Sequence, residues 1–584
     1  MAIGDQTEDA GPGSAPGSAK PAARAELKRR LRLLAERRFR VLRFQLDRLW
    51  GRLAAFDQPK LWLLSLGVGV ASGYAAVGFV LGLEVLHGLI FDGAEGTLAA
   101  AAAASPLWVV MMAPAFGGLL VGLCLHYACK DAAPLGVADV IEARALGHAK
   151  IDPKAGAVST LSALVSLGCG ASAGREGPVV VAGAAISSFV SDRLGLRALD
   201  ARTMLGCAVA AAVSASFNAP IAGALFALEV VLGHYAVRAF APITIASVAG
   251  AVISRSHLGA EPAFELPVAQ FGSYTQFPAF ALLGVVAAIA SALMMWSVFF
   301  ARDLIDAWRG RLGLPLWSQP AIAGLALGAI AAVFPEVLAV GYQTTSAALA
   351  GALGFWSCVA IAIAKTTAVA ITLGGRFAGG VFSPALMLGA LTGSAFGAIA
   401  IDVFPSVSGT HALYALAGMG ACAGAVLGAP ISTTLIVFEL TRDYGTAIAV
   451  MVSTSVATVM TQQLMQKSFF HWQLSRKNID LSAGPQTFLL PMILTRDLMR
   501  PRGAENSASD TAAWDLVEQG VSLRPSDDLA QAFPMFDGGR MTFLPVVESK
   551  TEGQGRTLVG ALYYVDALRA YNRALVAVHA EEHS

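Results

Sequence analysis

The chain has 584 residues, of which 55% are hydrophobic and only 14% are charged, and its formal net charge is +1. A soluble domain usually carries about a quarter charged residues, so this composition excludes an ordinary soluble protein and predicts an all-α polytopic membrane protein. No nucleic-acid partner is expected. The six cysteines are scattered through apolar surroundings without metal-ligand spacing, so they are expected to be small core residues, and no metal site is expected.

The N-terminal segment, residues 1–58, is predicted to be cytoplasmic. Residues 1–20 are rich in Gly, Ala, Ser and Pro and are expected to be disordered. Residues 27–49 have a helical pattern with apolar residues on one side, which indicates either a basic amphipathic helix on membrane lipid or a solvated connector helix. From Lys20 to Arg52, twelve Lys or Arg stand against three acids, and basic flanks stay cytoplasmic. No removable signal peptide is expected.

Residues 59–466 are predicted to form the transmembrane region. Its apolar runs are 61–91, 107–128, 157–190, 203–232, 236–253, 277–300, 319–334, 346–373, 380–401, 412–438 and 445–465. Several runs contain a Gly or Pro cluster midway, and they are too long for one span yet too short for two. Broken and re-entrant helices are therefore expected, because their loose backbone is tolerated inside protein or around a water-filled cavity.

One apolar run contains a carboxylate, Glu176, in the stretch Gly174-Arg-Glu-Gly-Pro178. A charge inside a bilayer costs roughly 3 kcal/mol on insertion scales, so such a residue is normally shielded and functional. The glycines leave backbone amides unscreened and Pro suits the first turn of a helix, which predicts a helix N-terminus within the membrane. Such an end attracts anions. The stretch therefore predicts an anion site beside Glu176, and the alternative is that Glu176 only caps its own helix.

A repeated motif indicates two duplicated halves, at about 59–260 and 275–466. The twelve residues Asn218 to Glu229 align without gaps on Gly428 to Glu439, and a Pro-x4-Gly pattern lies upstream of each copy, at Pro178 and at Pro384. A duplicated membrane domain with interrupted segments at matching positions places a binding site between the halves, near the midplane. The motif alone leaves parallel and inverted repeats open.

The C-terminal part changes character. Residues 467–491 are predicted to be a linker, and residues 492–584 a small cytoplasmic α/β domain. Its signs are a helix opened by Ser526-Asp-Asp-Leu529, a strand at 543–547, a strand at 558–562 and a helix from Asp566.

Four motifs together, in this order and spacing, resemble the CLC family of voltage-gated chloride channels and chloride/proton antiporters: Gly174 to Pro178, Gly380-Val-Phe-Ser-Pro384, the Asn218-Ala-Pro copy and Gly428-Ala-Pro430. The resemblance implies a CLC-type fold with two inverted-topology halves. It also implies a homodimer in membrane lipid, with one pore for chloride or another small anion in each subunit. The Ala- and Gly-rich composition favours a bacterial inner membrane, with both termini cytoplasmic.

Carried over by motif, the resemblance implies that Glu176 is the gate, which occupies an anion site when ionised and leaves it when protonated. Val381 and Phe382 would offer backbone N–H groups to the central anion, and the Tyr444 hydroxyl would touch it; the alternative for Tyr444 is an interfacial anchor. Arg175 is expected to balance Glu176 or to cap a carbonyl. The full set of predicted ion-binding residues is Gly174, Arg175, Glu176, Gly177, Val381, Phe382, Tyr444, Leu135 and Gly136.

The chain departs from the family pattern at two places. Leu135, before Gly136, stands where the family's first anion-binding motif has a serine, which puts the selectivity for chloride in question. Val230 stands where many antiporters have the internal proton-transfer glutamate. Glu229 is adjacent and is the candidate substitute in a proton relay with Glu176, although its repeat partner Glu439 favours a structural role for both.

The C-terminal domain resembles a cystathionine-β-synthase-type (CBS) repeat. In the Gly-x-x-Thr-x-x-Asp pattern that contacts adenine nucleotides, Tyr563 stands in place of Thr, between Gly560 and Asp566. A packing role is therefore favoured over nucleotide binding, and no other cofactor is expected.

Anion transport through a glutamate-gated pore is the leading functional hypothesis, in a channel-like mode because Val230 removes the usual relay. Chloride/proton antiport, in which protons are also carried, is the alternative. A membrane-embedded enzyme is not expected, because no nucleophile motif or His-x-x-x-His pair accompanies the histidines in apolar runs. A sensor that uses the C-terminal domain is a third reading.

Overall fold

The computed structural model describes residues 57–94, 97–129, 133–146, 149–259, 264, 272–405, 408–481, 490, 493–504, 507–539, 541–549 and 556–583. The predicted disordered start and the predicted basic helix at 27–49 lie outside these residues. By its internal contacts the chain divides into two units, 1–63 and 64–584. Residues 57–63, the first turns of helix α1, represent the first unit, and all the other elements belong to the second.

The transmembrane region is helical, as predicted. Its helices are α1 Asp57–Phe91, α2 Leu98–Ala104, α3 Leu107–Ala128, α4 Val137–Leu146, α5 Pro153–Gly168, α6 Glu176–Leu194, α7 Ala198–Phe217, α8 Pro220–Phe226, α9 Val237–Leu258, α10 Phe277–Leu312, α11 Gln319–Ala331, α12 Tyr342–Leu349, α13 Phe355–Gly374, α14 Phe382–Val403, α15 His411–Leu427, α16 Pro430–Thr441, α17 Tyr444–Met465 and α18 Phe469–Ser475. A π-helical turn, Ala227–Leu232, extends α8. Within the described part of the chain, eight helices are long and apolar enough to cross a membrane.

Broken helices occur where the sequence predicted them. The run 157–190 is divided between α5 and α6 by residues 169–175, and the run 203–232 is divided between α7 and α8. Asn218 separates the latter two helices and has φ +58, while Gly428 separates α15 from α16 with φ +70. Both residues adopt the left-handed conformation that Gly and Asn tolerate best, and a proline follows two positions later to start the next helix. In both halves, the break is therefore encoded by a residue of left-handed conformation two positions before a proline.

Small residues bring helices close together around the centre. A Cβ on Gly389 of α14 would lie 2.2 Å from the carbonyl oxygen of Gly418 in α15, and one on Gly393 would lie 2.2 Å from that of Tyr414. Such contacts between backbones are typical of membrane proteins, in which close van der Waals packing drives helix association. The packing fixes α14, which starts at the candidate site.

The C-terminal region is a small α/β unit, as predicted. It contains a three-stranded antiparallel sheet in the order β1-β3-β2, with Arg500 opposite Ala561 and Phe543 opposite Tyr563. Its elements are α19 Thr495–Leu498, β1 Arg500–Pro501, α20 Asp510–Glu518, α21 Leu529–Gly539, β2 Phe543–Ser549, β3 Arg556–Tyr563 and α22 Tyr564–His583. Asp528 caps α21, since its carboxylate accepts from the Gln531 N–H at 3.0 Å.

Candidate functional site

Two loops, one from each half of the transmembrane region, pair directly with each other. Gly174 and Gly380 form an antiparallel bridge, in which the N–H of each donates to the carbonyl of the other at 2.7 and 2.8 Å. A Cβ on Gly380 would lie 3.1 Å from the Gly177 nitrogen, and one on Gly174 would lie 2.6 Å from a carboxylate oxygen of Glu176. A side chain on either glycine would therefore crowd the paired loops, which favours glycine at both positions.

The paired loops lead into two helices whose N-termini meet. Helix α6 begins at Glu176, as predicted from the sequence, and α14 begins at Phe382 with Val381 at its N-cap. The first N–H groups of a helix have no acceptor within the helix, and the helix dipole places about half a positive charge there. Two such ends therefore create a positive region that suits an anion.

Glu176 places its carboxylate in this region. Glu176 is 3% exposed, and the hydroxyl of Ser383 on α14 donates to its Oε1. Ser383 belongs to the second half of the chain, so a hydroxyl of one half holds the carboxylate of the other.

A cavity of about 50 Å³ lies at these helix starts, lined by Gly136, Glu176, Val381 and Phe382. A site needs roughly 10–15 Å³ to hold one water molecule, so this cavity has room for a water or a small anion. The ring of Phe382 packs against Phe217, with ring centroids 4.9 Å apart. The structure thus brings together five of the predicted ion-binding residues, which are Glu176, Gly177, Val381, Phe382 and Gly136.

A helix that the sequence analysis placed in a linker forms one wall of the cavity. Helix α18 contributes Phe469, Phe470 and Gln473 to the lining. Phe469 is 2% and Phe470 is 5% exposed, so this segment is packed into the transmembrane region rather than free of it. Two adjacent aromatics directly after α17 were the available signal, but a seven-residue helix is too short to show a periodicity.

Tyr444, predicted to touch the central anion, lies elsewhere. It is the first residue of α17, it is 73% exposed, and it does not line the cavity. Asp443 caps that helix by accepting from the Thr446 N–H at 2.6 Å. The prediction therefore needs correction. The exposed position of Tyr444 is compatible with the alternative given for it, an interfacial anchor.

The amides of the first predicted anion motif have partners within the protein. The Leu135 N–H donates to the Ser159 hydroxyl at 2.9 Å, and the Gly136 N–H donates to an Asp139 carboxylate oxygen at 2.6 Å. Gly136 lines the cavity, whereas Leu135 is not among its lining residues. This motif therefore shapes the wall but does not direct these two N–H groups at the cavity.

Arg175 contacts a backbone carbonyl and an aromatic ring. Its guanidinium donates to the Ser216 carbonyl at 3.3 Å and lies over the Tyr342 ring, 4.9 Å from the centroid. Of the two roles predicted for it, these contacts fit the capping of a carbonyl.

A buried lysine, which sequence reasoning missed, holds the loop that packs behind residues 169–175. Lys365 of α13 is fully buried, and its Nζ donates to the carbonyls of Val337 at 3.0 Å and Ala339 at 2.8 Å. The Ser172 hydroxyl donates to the same Val337 carbonyl at 2.7 Å. The signal was a lone lysine in the apolar run 346–373, because an intramembrane charge requires partners.

Glu229 caps the start of α16, and Glu439 caps the start of α8. The Glu229 carboxylate accepts from the Ile431 N–H at 3.0 Å and the Ser432 N–H at 2.7 Å, at the start of α16. Glu439, at the end of α16, accepts from the Ile221 N–H at 3.0 Å and the Ala222 N–H at 2.7 Å, at the start of α8. Because the end of each helix meets the start of the other, α8 and α16 lie antiparallel, as inverted repeats require.

This arrangement gives Glu229 a structural task. Both of its oxygens accept hydrogen bonds from α16, including one from the Ser432 hydroxyl at 2.6 Å. Val230, the neighbour at the position of the usual relay glutamate, is 8% exposed and apolar.

In the C-terminal unit, the positions of the nucleotide pattern contact Arg500. The Arg500 guanidinium lies 4.0 Å from the Tyr563 ring centroid and donates to the Asp566 carboxylate at 2.8 Å. A Cβ on Gly560 would lie 2.3 Å from the Arg500 carbonyl oxygen. Gly560 and Tyr563 of β3 therefore pack against β1, and Asp566 joins the start of α22 to Arg500 of β1.

Comparison with known proteins gives the same fold. A solved cyanobacterial Cl⁻/H⁺ antiporter, described as slow, matches with a TM-score of 0.64 and 21% identity over 72% of this chain and 98% of that one. A eukaryotic CLC transporter matches with a TM-score of 0.62 and 18% identity over 87% and 97% of the two chains.

The sequence comparisons go further. The ClcB-like chloride channel protein of Ralstonia nicotianae is 31% identical over 421 residues, which cover 71% of this chain and 96% of the relative. The family model described as voltage gated chloride channel matches residues 117–462. The chain is therefore an integral membrane protein that belongs to the family of voltage-gated chloride channels.

Proposed function

We propose that this chain carries chloride across a membrane through the cavity at the two helix N-termini, with Glu176 as the gate. The observation that carries the proposal is the position of Glu176. Its buried carboxylate lines a cavity large enough for a small anion, at the point where two helix starts create a positive potential. An anion and an ionised carboxylate compete for the same potential, and protonation of Glu176 removes the competitor.

The gate is tested with Glu176→Gln in the purified chain reconstituted in liposomes. We expect a constant anion flux that does not change with external pH, because glutamine retains the size of the side chain without its charge. Glu518→Gln, which makes the same change at an exposed position of the C-terminal unit, should leave the pH response intact. A Glu176→Gln variant that stays closed, or that keeps the wild-type pH response, would refute the gate.

A channel-like mode is favoured because Glu229 is engaged at the start of α16 and Val230 carries no proton. The second candidate is chloride/proton exchange, which is favoured by the similarity to the cyanobacterial antiporter. Reversal potentials measured under a pH gradient separate the two. A potential equal to the chloride Nernst value excludes exchange, whereas a fixed offset accompanied by proton movement excludes the channel.

We further infer a homodimer in a bacterial inner membrane with both termini in the cytoplasm, from the family membership and from the basic residues between Lys20 and Arg52. We propose the domain limits 1–58, 59–466, 467–491 and 492–584, in which α18 belongs to the segment 467–491 and lines the cavity of the transmembrane part. For the C-terminal unit we propose a single CBS-like repeat with a packing role, since Arg500 engages Tyr563 and Asp566. Tight binding of ATP to the purified chain would contradict that role.

A further inference from the structure

We propose that Gln473 is a specificity-determining residue that donates its side-chain amide to the anion in the cavity. This inference rests on the proposed function, since it requires an anion to pass this wall. Among the described residues that line the cavity, only Glu176 and Gln473 have polar side chains. An ionised glutamate offers acceptors only and repels an anion, whereas the glutamine carboxamide offers two N–H donors without a charge.

The need for such a donor follows from the other groups around the cavity. An anion that leaves water needs donors in place of its hydration shell, since an unpaired charge in an apolar cavity is costly. The N–H groups of Leu135 and Gly136 donate to Ser159 and Asp139 and do not serve the cavity. The rest of the α18 wall is aromatic, because its other lining residues are Phe469 and Phe470. Gln473 therefore supplies the side-chain donor of this wall.

The helix holds Gln473 in place. Residues three and four apart share a helix face, so Gln473 lies on the same face as Phe469 and Phe470. On the neighbouring positions, Leu474 is fully buried and the Trp472 indole N–H donates to the Met465 carbonyl at 2.8 Å. The half-buried Gln473 side chain thus extends from an anchored backbone.

The expected effect concerns affinity and selectivity. A hydrogen bond to a charged group contributes enough that its loss weakens binding by about tenfold or more. An aromatic and aliphatic wall without a donor should also favour weakly hydrated anions, because they lose less hydration on entry. We therefore expect the chloride KM to rise about tenfold in Gln473→Met, and the thiocyanate-to-chloride flux ratio to rise with it.

The experiment uses the full chain in liposomes, with flux measured against chloride concentration and then with thiocyanate in place of chloride. Gln473→Met keeps the size of the side chain and removes the donors, while Gln473→Asn keeps the amide and should restore part of the chloride preference. Gln463→Leu on α17 is the matched control, because Gln463 is exposed and does not line the cavity. Should Gln473→Met fail to fold, Gln473→Leu and Gln473→Asn provide the same comparison.

The outcomes separate this inference from the proposed function. A wild-type chain that carries no chloride refutes the proposed function and this inference with it. A wild-type chain that carries chloride, together with a Gln473→Met variant of unchanged KM and unchanged flux ratio, refutes this inference alone. A raised KM and flux ratio in Gln473→Met, with the control at wild-type values, supports it.

Discussion

Removal of the Glu229 carboxylate tests whether it is a helix cap or a proton carrier. In Glu229→Ala, the N–H groups of Ile431 and Ser432 and the Ser432 hydroxyl lose their acceptor. An unsatisfied buried donor costs about 1–3 kcal/mol, and partial exposure of this helix start reduces the penalty. We therefore expect Glu229→Ala to lower the free energy of unfolding by about 3–5 kcal/mol, mostly through the two backbone donors.

Glu439 provides a matched comparison within the same chain. Its carboxylate accepts from the same two kinds of backbone donor at the same distances, 3.0 and 2.7 Å, but Ala222 stands where the other copy has Ser432. Glu439→Ala should therefore cost about 1 kcal/mol less than Glu229→Ala, which is the net contribution of a typical hydrogen bond. Ser432→Ala should remove that difference.

The assay is reversible unfolding of the purified chain in mixed detergent micelles, followed by circular dichroism, with proton and chloride flux measured on the same variants in liposomes. If both glutamates are helix caps, Glu229→Ala and Glu439→Ala should both be less stable than the wild type. The protein that still folds should show the same ratio of proton to chloride flux as the wild type. The reasoning is refuted by a Glu229→Ala variant of wild-type stability that loses proton movement, since that result would make Glu229 a proton carrier.

Three further predictions concern the loops and the α18 wall. Gly380→Ala should destabilise the fold by about 1–3 kcal/mol and reduce flux, because its Cβ would lie 3.1 Å from the Gly177 nitrogen. The control is Gly88→Ala, where the added carbon has open space around it. Equal melting temperatures of the two variants would contradict the importance of the loop pairing. Lys365→Met should cost about 1–3 kcal/mol in the same unfolding assay, because the Ala339 carbonyl loses its donor, and a stability at or above the wild-type value would count against this role. Lys477 pairs with Asp139 at 2.5 Å and with Glu142 at 2.8 Å. Burial lowers the pKa of Lys477, but the two carboxylates raise it by a larger amount, so the net shift of the pKa is upward. A raised folded pKa means that the contribution to stability is complete below about pH 10 and is lost as the pH rises through the folded value. Wild-type protein should therefore lose more stability than Lys477→Met in alkaline titrations above about pH 10, and identical profiles would refute the pairing.

Local patterns were enough to predict the broken helices. Asn218 and Gly428 precede prolines that start new helices, and this information lies within a few residues of each break. The position of Glu176 at a helix start was predictable for the same reason. The bridge between Gly174 and Gly380 was not, because it joins residues 206 positions apart and depends on how the two halves pack.

Two features of the site could not be predicted from the sequence. Tyr444 was assigned to the anion by resemblance to the family. It starts α17 at an exposed position, whereas one wall of the cavity comes from α18, after that helix ends. Leu135 and Gly136 were assigned to the anion by their place in the family's first anion-binding motif. In the folded chain, Ser159 and Asp139 accept hydrogen bonds from their N–H groups. Backbone and short-helix contacts of this kind leave no periodicity in a sequence, so only the folded chain reveals them.

The position of α18 determines where the protein can be shortened. A stop codon after Gln466 would discard Phe469, Phe470 and Gln473 together with the C-terminal unit, so one edit would alter both regions at once. Deletion studies of the C-terminal unit should instead retain the chain through residue 481, which preserves the whole of α18 and the Lys477 ion pair.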